Sequence, residues 1–353
     1  MSKQIIFGLF VAFFAITVVA QTPSATKEPH LQNLRMLTHG GDNAEAYWSP
    51  NSKKLTFQSN RGLKADQIFW MDVKKAAKDS LYQMQALSTG GGRTTCSYFM
   101  PDGKHILYAS TRGASDTIPS TGDLHAGGRY LWPIFDSYDI WVADLAGNIT
   151  ARLTDSPGYD AEATVSPKGD KIVFTSTRSG DLELWVMDID GKNQHQVTSG
   201  LGYDGGAFFS PDGKQIVYRR STVTSEAEIK RYKDLLAQHL IVPVVFEIWV
   251  MNADGTNKRQ VTKLGSGSFA PFFTPDGKRI IFCTNYFASD PRKRNFDLVL
   301  VNVDGTGLER VTFNESFDGF PMFSPDGKKL VFASNRNAAK EGDTNVFIAD
   351  WVN

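Results

Sequence analysis

Six times along the chain a polar tight turn leads into a short run dominated by apolar positions. The copies read SPNSKKLTFQSNR from Ser49, MPDGKHILYASTR from Met100, SPKGDKIVFTSTR from Ser166, SPDGKQIVYRRST from Ser210, TPDGKRIIFCTNY from Thr274 and SPDGKKLVFASNR from Ser324. A short apolar run bounded by turn residues predicts a buried strand. A second run follows each copy: IFWMDV from Ile68, DIWVAD from Asp139, ELWVMD from Glu183, EIWVMN from Glu247, LVLVNV from Leu298 and NVFIAD from Asn345. Four of these end in glycine turns (Ala146-Gly147, Asp190-Gly191, Asp254-Gly255, Asp304-Gly305), which are hairpin signals. A third run then appears, as ARLT from Ala151, HQVT from His195, RQVT from Arg259 and ERVT from Glu309. With the short Tyr-, Phe- and Ala-rich stretch before each turn, the unit has four antiparallel strands, A to D.

Units of this kind recurring every 44 to 66 residues predict the blades of a propeller. The expected fold is all-β: a single six-bladed β-propeller over residues 31–353. The last unit stops after its C strand, and the missing D run stands at the other end as Leu34-Arg35-Met36-Leu37-Thr38. The N-terminal strand is therefore expected to complete the last blade and close the ring. One short helical insertion is expected near residues 225–240. There Ser225 and Glu228 form a capping box, and Ile229, Tyr232, Leu236 and Leu240 form an apolar stripe before Pro243. The stripe packs on the propeller rim or forms a lid over the axial opening.

Antiparallel order puts the Pro-Asp-Gly turns and the C–D hairpins on one face. The B–C and D–A loops, including both long insertions (113–138 and 221–246), lie on the other. Variable loops on a rigid frame are where binding belongs.

Residues 1–20 read differently. A single early lysine, an apolar run from Ile5 to Ala20 and small residues before Gln21 describe a secretory signal peptide, followed by a linker over 21–30. A periplasmic or secreted protein is expected, with no membrane span after cleavage, since a run of 16 residues is short for one. The 38 basic and 38 acidic residues give no basic excess for a nucleic-acid surface. Cys96 and Cys283 fall in blades 2 and 5 and are expected as free thiols.

Candidate chemistry lies where the repeat breaks. At the starts of the A strands stand Glu45, Asp160, Glu162, Asp204 and Asp318. Residues two apart on a strand share a face, so Asp160 and Glu162 are expected to point together. These carboxylates either cap local backbone N–H groups or converge on the axis. Converging, they would bind a cationic group or, through Asp160, Glu162 and Asp204, a Ca²⁺ or Mg²⁺ ion. No other cofactor is expected. The blade 2 insertion adds Arg129, Tyr130 and Trp132 as candidate ligand contacts. Arg61, Arg112, Arg178 and Arg336 recur at the ends of B strands, which favours a structural role; only Arg219-Arg220 is doubled and shifted.

The S-P-D-G-K line, the W-V-M-D-x-D-G run and the R-x-V/L-T strand together resemble the TolB propeller repeat over roughly residues 31–353. Propellers of prolyl-oligopeptidase-type enzymes and of some polysaccharide lyases share it more loosely. The resemblance implies a non-catalytic propeller that binds a protein, peptide or glycan partner in the cell envelope. It departs from TolB at the start of the chain. The ring-closing strand begins about ten residues after the expected cleavage, so TolB's additional N-terminal domain is not expected here. The alternative is a metal-dependent propeller enzyme, a polysaccharide lyase or hydrolase, with His39, His125 and His239 on or near the loop face. No G-x-S-x-G elbow, H-E-x-x-H, C-x-x-C or phosphate-loop motif is present.

Overall fold

The computed structural model describes residues 28–88, 91–115, 117–120, 130–243, 245–289 and 295–353. Six four-stranded antiparallel sheets form the blades of a propeller. From the inside out, blade 1 runs Asn43–Trp48, Lys54–Ser59, Gln67–Asp72 and Gln85–Ala86. Blade 2 runs Thr94–Phe99, His105–Ser110, Asp139–Asp144 and Ile149–Arg152; blade 3 Asp160–Val165, Lys171–Ser176, Glu183–Asp188 and His195–Gln196. Blade 4 runs Asp204–Phe209, Gln215–Ser221, Phe246–Asn252 and Arg259–Gln260; blade 5 Ser268–Phe273, Arg279–Thr284, Asp297–Asn302 and Glu309–Arg310. Blade 6 takes Asp318–Phe323, Lys329–Ser334 and Asn345–Trp351, and its outer strand is Leu31–Met36 from the start of the ring. Each innermost strand contacts its neighbours on both sides, and blade 6 contacts blade 1.

The middle strands read as apolar runs because both of their faces are covered by neighbouring blades. In blade 3, Ile172, Val173 and Phe174 lie opposite Met187, Val186 and Trp185, and all but Trp185 are buried. Glycine at the C–D hairpins is required by close approach as well as by its positive φ. A Cβ on Gly147 would stand 2.5 Å from the Leu87 carbonyl oxygen of the preceding blade.

The N-terminal strand closes the ring as the missing D run implied. Arg35 and Met36 pair with Ile348 and Phe347, and the Val346 N–H donates to Thr38 Oγ1 at 2.9 Å. The Pro-Asp-Gly turns are scaffold. In blade 4 the Ser210 hydroxyl and the Lys214 N–H both donate to the Asp212 carboxylate. The helix in the blade 4 insertion spans Glu226–Leu236 with its capping box formed. It packs on the rim through Tyr232 and Leu236, and the Tyr232 hydroxyl donates to Asp181 of blade 3. It therefore does not form a lid. Leu240 leaves the helix for a short strand, Leu240–Ile241, that pairs with Trp132–Pro133 of the blade 2 insertion. The two insertions are thus stitched together above blade 3. No described helix is long and apolar enough to cross a membrane, and the apolar run from Ile5 to Ala20, expected as a signal peptide, lies outside the described residues.

Candidate functional site

Every innermost strand carries a bulge two to three residues from its start, marked by a register shift against the second strand. The bulged residues are Glu45, Cys96, Glu162, Gly206, Ala270 and Phe320, all with φ between 50° and 58°. Five of the six carry a Cβ in a left-handed conformation that costs of order 1 kcal/mol each and persists only where surrounding structure imposes it. The result is a ring of six side-chain positions turned toward the axis. Two residues further along stand Tyr47, Tyr98, Phe208 and Phe272, whose rings contact one another at 5.2–6.3 Å between centroids. These aromatics, with Thr164 and Met322 at the equivalent positions, form a floor across the channel.

Above the floor opens a funnel of about 1370 Å³ on the face that carries the two insertions. Glu45, Cys96, Glu162, Gly206, Ala270 and Phe320 all line it, as do Tyr130 and Trp132 from the blade 2 insertion. One side, toward blades 5 and 6, is aromatic, where Phe269, Phe296, Phe317 and Phe320 pack on each other. The other side, toward blades 1 to 4, is the more polar one, where Glu45, Asp66, Arg93, Glu162 and Arg219 stand among further aromatic rings.

The polar side is organised around two carboxylates in the same bulge position. Glu162 accepts from Arg219 at 2.6 Å, the Thr175 hydroxyl at 2.8 Å, the Tyr203 hydroxyl at 2.9 Å and the Gly206 N–H at 3.0 Å. Burial pushes its pKa up, but the Arg219 charge and these donors more than offset it and hold the carboxyl below the usual range. Gly206 makes this possible, since a Cβ there would stand 2.2 Å from an Arg219 nitrogen. Arg219 itself is enclosed by the rings of Tyr203, Phe246 and Trp132, at 4.6, 5.5 and 5.6 Å from their centroids.

Glu45 has no such partner. Its contacts are the Tyr47 hydroxyl at 3.3 Å and the Cys96 thiol, and loss of hydration raises its pKa from 4.5 to about 7. Asp66, also in the funnel wall, is raised to about 6, first by burial and then by Asp42. Because Glu45 binds its proton more tightly when folded, stability is greatest below the unfolded pKa and falls as pH rises from 4.5 to about 7. Glu45→Gln is therefore expected to be more stable than the parent at pH 8, by about 2–3 kcal/mol, and no more stable near pH 4. Urea unfolding at the two pH values measures this.

Asp160, Asp204 and Asp318 do not reach the funnel. Each is buried and ion-paired within its own blade, to Arg178 at 2.6 Å, Arg220 at 2.8 Å and Arg336 at 2.6 Å. The bulge corrects the expectation that Asp160 and Glu162 share a face: the left-handed residue breaks the two-residue alternation, so Glu162 turns to the axis and Asp160 stays between blades. The cation site read from Asp160, Glu162 and Asp204 has no common centre, since each has its own arginine. No group of three or more His, Cys, Asp or Glu able to hold a metal occurs among the described residues. His39 lines a separate cavity of about 270 Å³ beside Asp343, and His239 lies 3.9 Å from Asp136. Arg129 and His125 lie outside the described residues. Cys96 and Cys283 are free thiols.

Asp66 and Arg93 of the funnel wall were not anticipated, because both sit in connections that carry no repeat. Arg219 was signalled by the doubling Arg219-Arg220. Neighbours on a strand face opposite ways, so Arg220 makes the blade's ion pair and Arg219 is left for the axis.

A sequence profile of the TolB β-propeller domain matches residues 135–242. A curated uncharacterized protein of Agrobacterium fabrum is 30% identical over 165 residues, which covers 46% of this chain and 44% of that protein, so the match spans less than half of the relative's length. Among solved structures, TolB from Acinetobacter baumannii superposes with a TM-score of 0.56 at 18% identity, over 78% of this chain and 55% of that one. A TolB-like protein from Agrobacterium tumefaciens gives 0.55 at 18% identity, over 89% and 91%. An oligogalacturonate lyase from Vibrio parahaemolyticus gives 0.50 at 12% identity, over 90% and 93%. In fold the chain is a TolB-like six-bladed propeller.

Proposed function

We propose that this chain is an exported, non-catalytic propeller that holds a protein, peptide or glycan partner in the funnel on its insertion-bearing face. The observation that carries this reading is the blind shape of the channel. An aromatic floor closes it, and a ring of strained residues places side chains around an accessible cavity of about 1370 Å³. Large, mostly apolar cavities with a few converging polar groups are the usual form of ligand sites. The TolB-like fold supports a binding role, and the apolar leader over residues 1–20 supports export to the periplasm or beyond. Tyr130, 41% exposed at the rim, and Trp132 would contact the partner. A metal-dependent lyase or hydrolase on the same face has no described ligand set on its side.

The test is a thermal-shift panel of basic peptides, neutral peptides and oligosaccharides, since a specific ligand raises the melting temperature by mass action. For a ligand found this way, Tyr130→Ala is expected to weaken binding about tenfold, about 1.4 kcal/mol. Lys214→Ala, in an exposed turn on the opposite face, is expected to leave it unchanged. The reverse pattern would place binding elsewhere.

A further inference from the structure

We propose that the funnel receives the cationic end of its ligand, an amine or guanidinium on an apolar stem such as a lysine or arginine side chain, against the Glu45 carboxylate. This rests on the funnel being the binding site and names the chemistry it selects.

The first observation is an unfilled place in a pattern. The other acidic residues singled out on the innermost strands each have an arginine of this chain: Asp160 has Arg178, Glu162 has Arg219, Asp204 has Arg220 and Asp318 has Arg336. Glu45 is held only by a hydroxyl at 3.3 Å and a thiol, and among the described residues no lysine or arginine lies within ion-pair distance of it. A carboxylate kept deep in a cavity without a cation costs stability, and that cost is recovered when a ligand supplies the charge.

The second observation is an internal template. Glu45 and Glu162 occupy the same bulge position in blades 1 and 3. At Glu162 the chain itself shows what such a carboxylate holds: a guanidinium at 2.6 Å, enclosed by aromatic rings. Beside Glu45 an aromatic ring is already in place in Tyr47, which lines the funnel together with Phe208 and packs against it. A ring face within about 6 Å of a cation adds about 0.5–2 kcal/mol. The third is charge. Among the described residues the funnel is lined by six carboxylates and two guanidinium groups, one of which is already committed to Glu162.

The experiment is an NMR-detected titration of the parent and Glu45→Gln with blocked Ala-Arg-Ala and Ala-Lys-Ala. Their neutral matches carry citrulline or norleucine, and an uncharged oligosaccharide is added to the panel. At pH 8 the parent is expected to bind the charged peptides at least tenfold more tightly than the matches, and Glu45→Gln, isosteric and checked by melting, to lose that preference. Lowering the pH to 6 is expected to weaken the charged peptides, because Glu45 then holds its proton. Of the groups facing it, burial pushes Tyr47 and Cys96 up and out of this window, while Arg219 keeps Glu162 ionised. Asp66 of the wall titrates within it, so Asp66→Asn run in parallel separates the two. Equal binding of charged and neutral peptides, or an unchanged preference in Glu45→Gln, overturns the cation site. Neutral peptides or the oligosaccharide binding in a Tyr130-dependent way would leave the funnel standing and remove the cation. Failure of every probe to bind the parent would remove both.

Discussion

A chain lacking residues 28–38 is expected to lose cooperative folding altogether. Closure of the ring depends on this one segment. Leu31 and Leu37 are buried, and the strand between them pairs with Asn345–Trp351. Around it Glu28 accepts from Arg336 at 2.9 Å, and His30 stacks on Trp351 at 4.9 Å between ring centroids. Without it the third strand of blade 6 becomes an exposed edge, and the contact between blades 6 and 1 loses its covalent tie. The net stability of a domain is only about 5–15 kcal/mol, so removing a whole strand with its buried leucines is expected to exceed it. Thr38→Ala is the graded version. Its hydroxyl donates to Asn345 Oδ1 at 3.0 Å and accepts from the Val346 N–H, both in the buried seam. Leaving these partners unpaired is expected to cost about 1–3 kcal/mol. Circular dichroism and chemical denaturation read both. A cooperative transition in the truncated chain would show that blade 6 stands without its outer strand.

The second large effect is expected at Arg219. Arg219→Met leaves Glu162 buried at the axis with its hydroxyl and backbone donors and no cation, a change that costs about 3–5 kcal/mol. Glu162 has a pKa held below 4.5, so the stability it contributes with Arg219 is present above the unfolded pKa and is lost as pH falls through its folded value. The Arg219→Met deficit is therefore expected to be largest at neutral pH and to shrink in acid. The double variant Arg219→Met with Glu162→Gln is expected to recover part of the loss, because the residues act as a pair. Two single losses that simply add would show that the arginine acts only through its packing against Tyr203 and Phe246.

The fold was legible because each blade repeats one line of sequence, and closure was legible because one strand was missing at one end and spare at the other. Position at the starts of the A strands singled out Glu45 and Glu162, and both stand on the ring. What position in the repeat could not show was the bulge. A left-handed residue in the middle of a strand depends on the neighbouring blades, and five of the six positions carry no glycine to announce it. That one conformational fact separates Glu162 from Asp160 and divides the carboxylates between funnel and blade seams. Asp66 and Arg93 were invisible for a different reason: they come from connections of irregular length, where position in sequence does not determine position around the axis.

The proposal that the funnel on the insertion-bearing face holds the partner is tested most directly by hydrogen exchange with and without a ligand taken from the thermal-shift panel. Expected is slowed exchange in 43–48, 94–99, 160–165 and 204–209, each of which contributes residues to the funnel wall, and in the insertion strands at 132–133 and 240–241. Slowed exchange confined to the Pro-Asp-Gly turns or the outer strands, with the funnel segments unchanged, would contradict it.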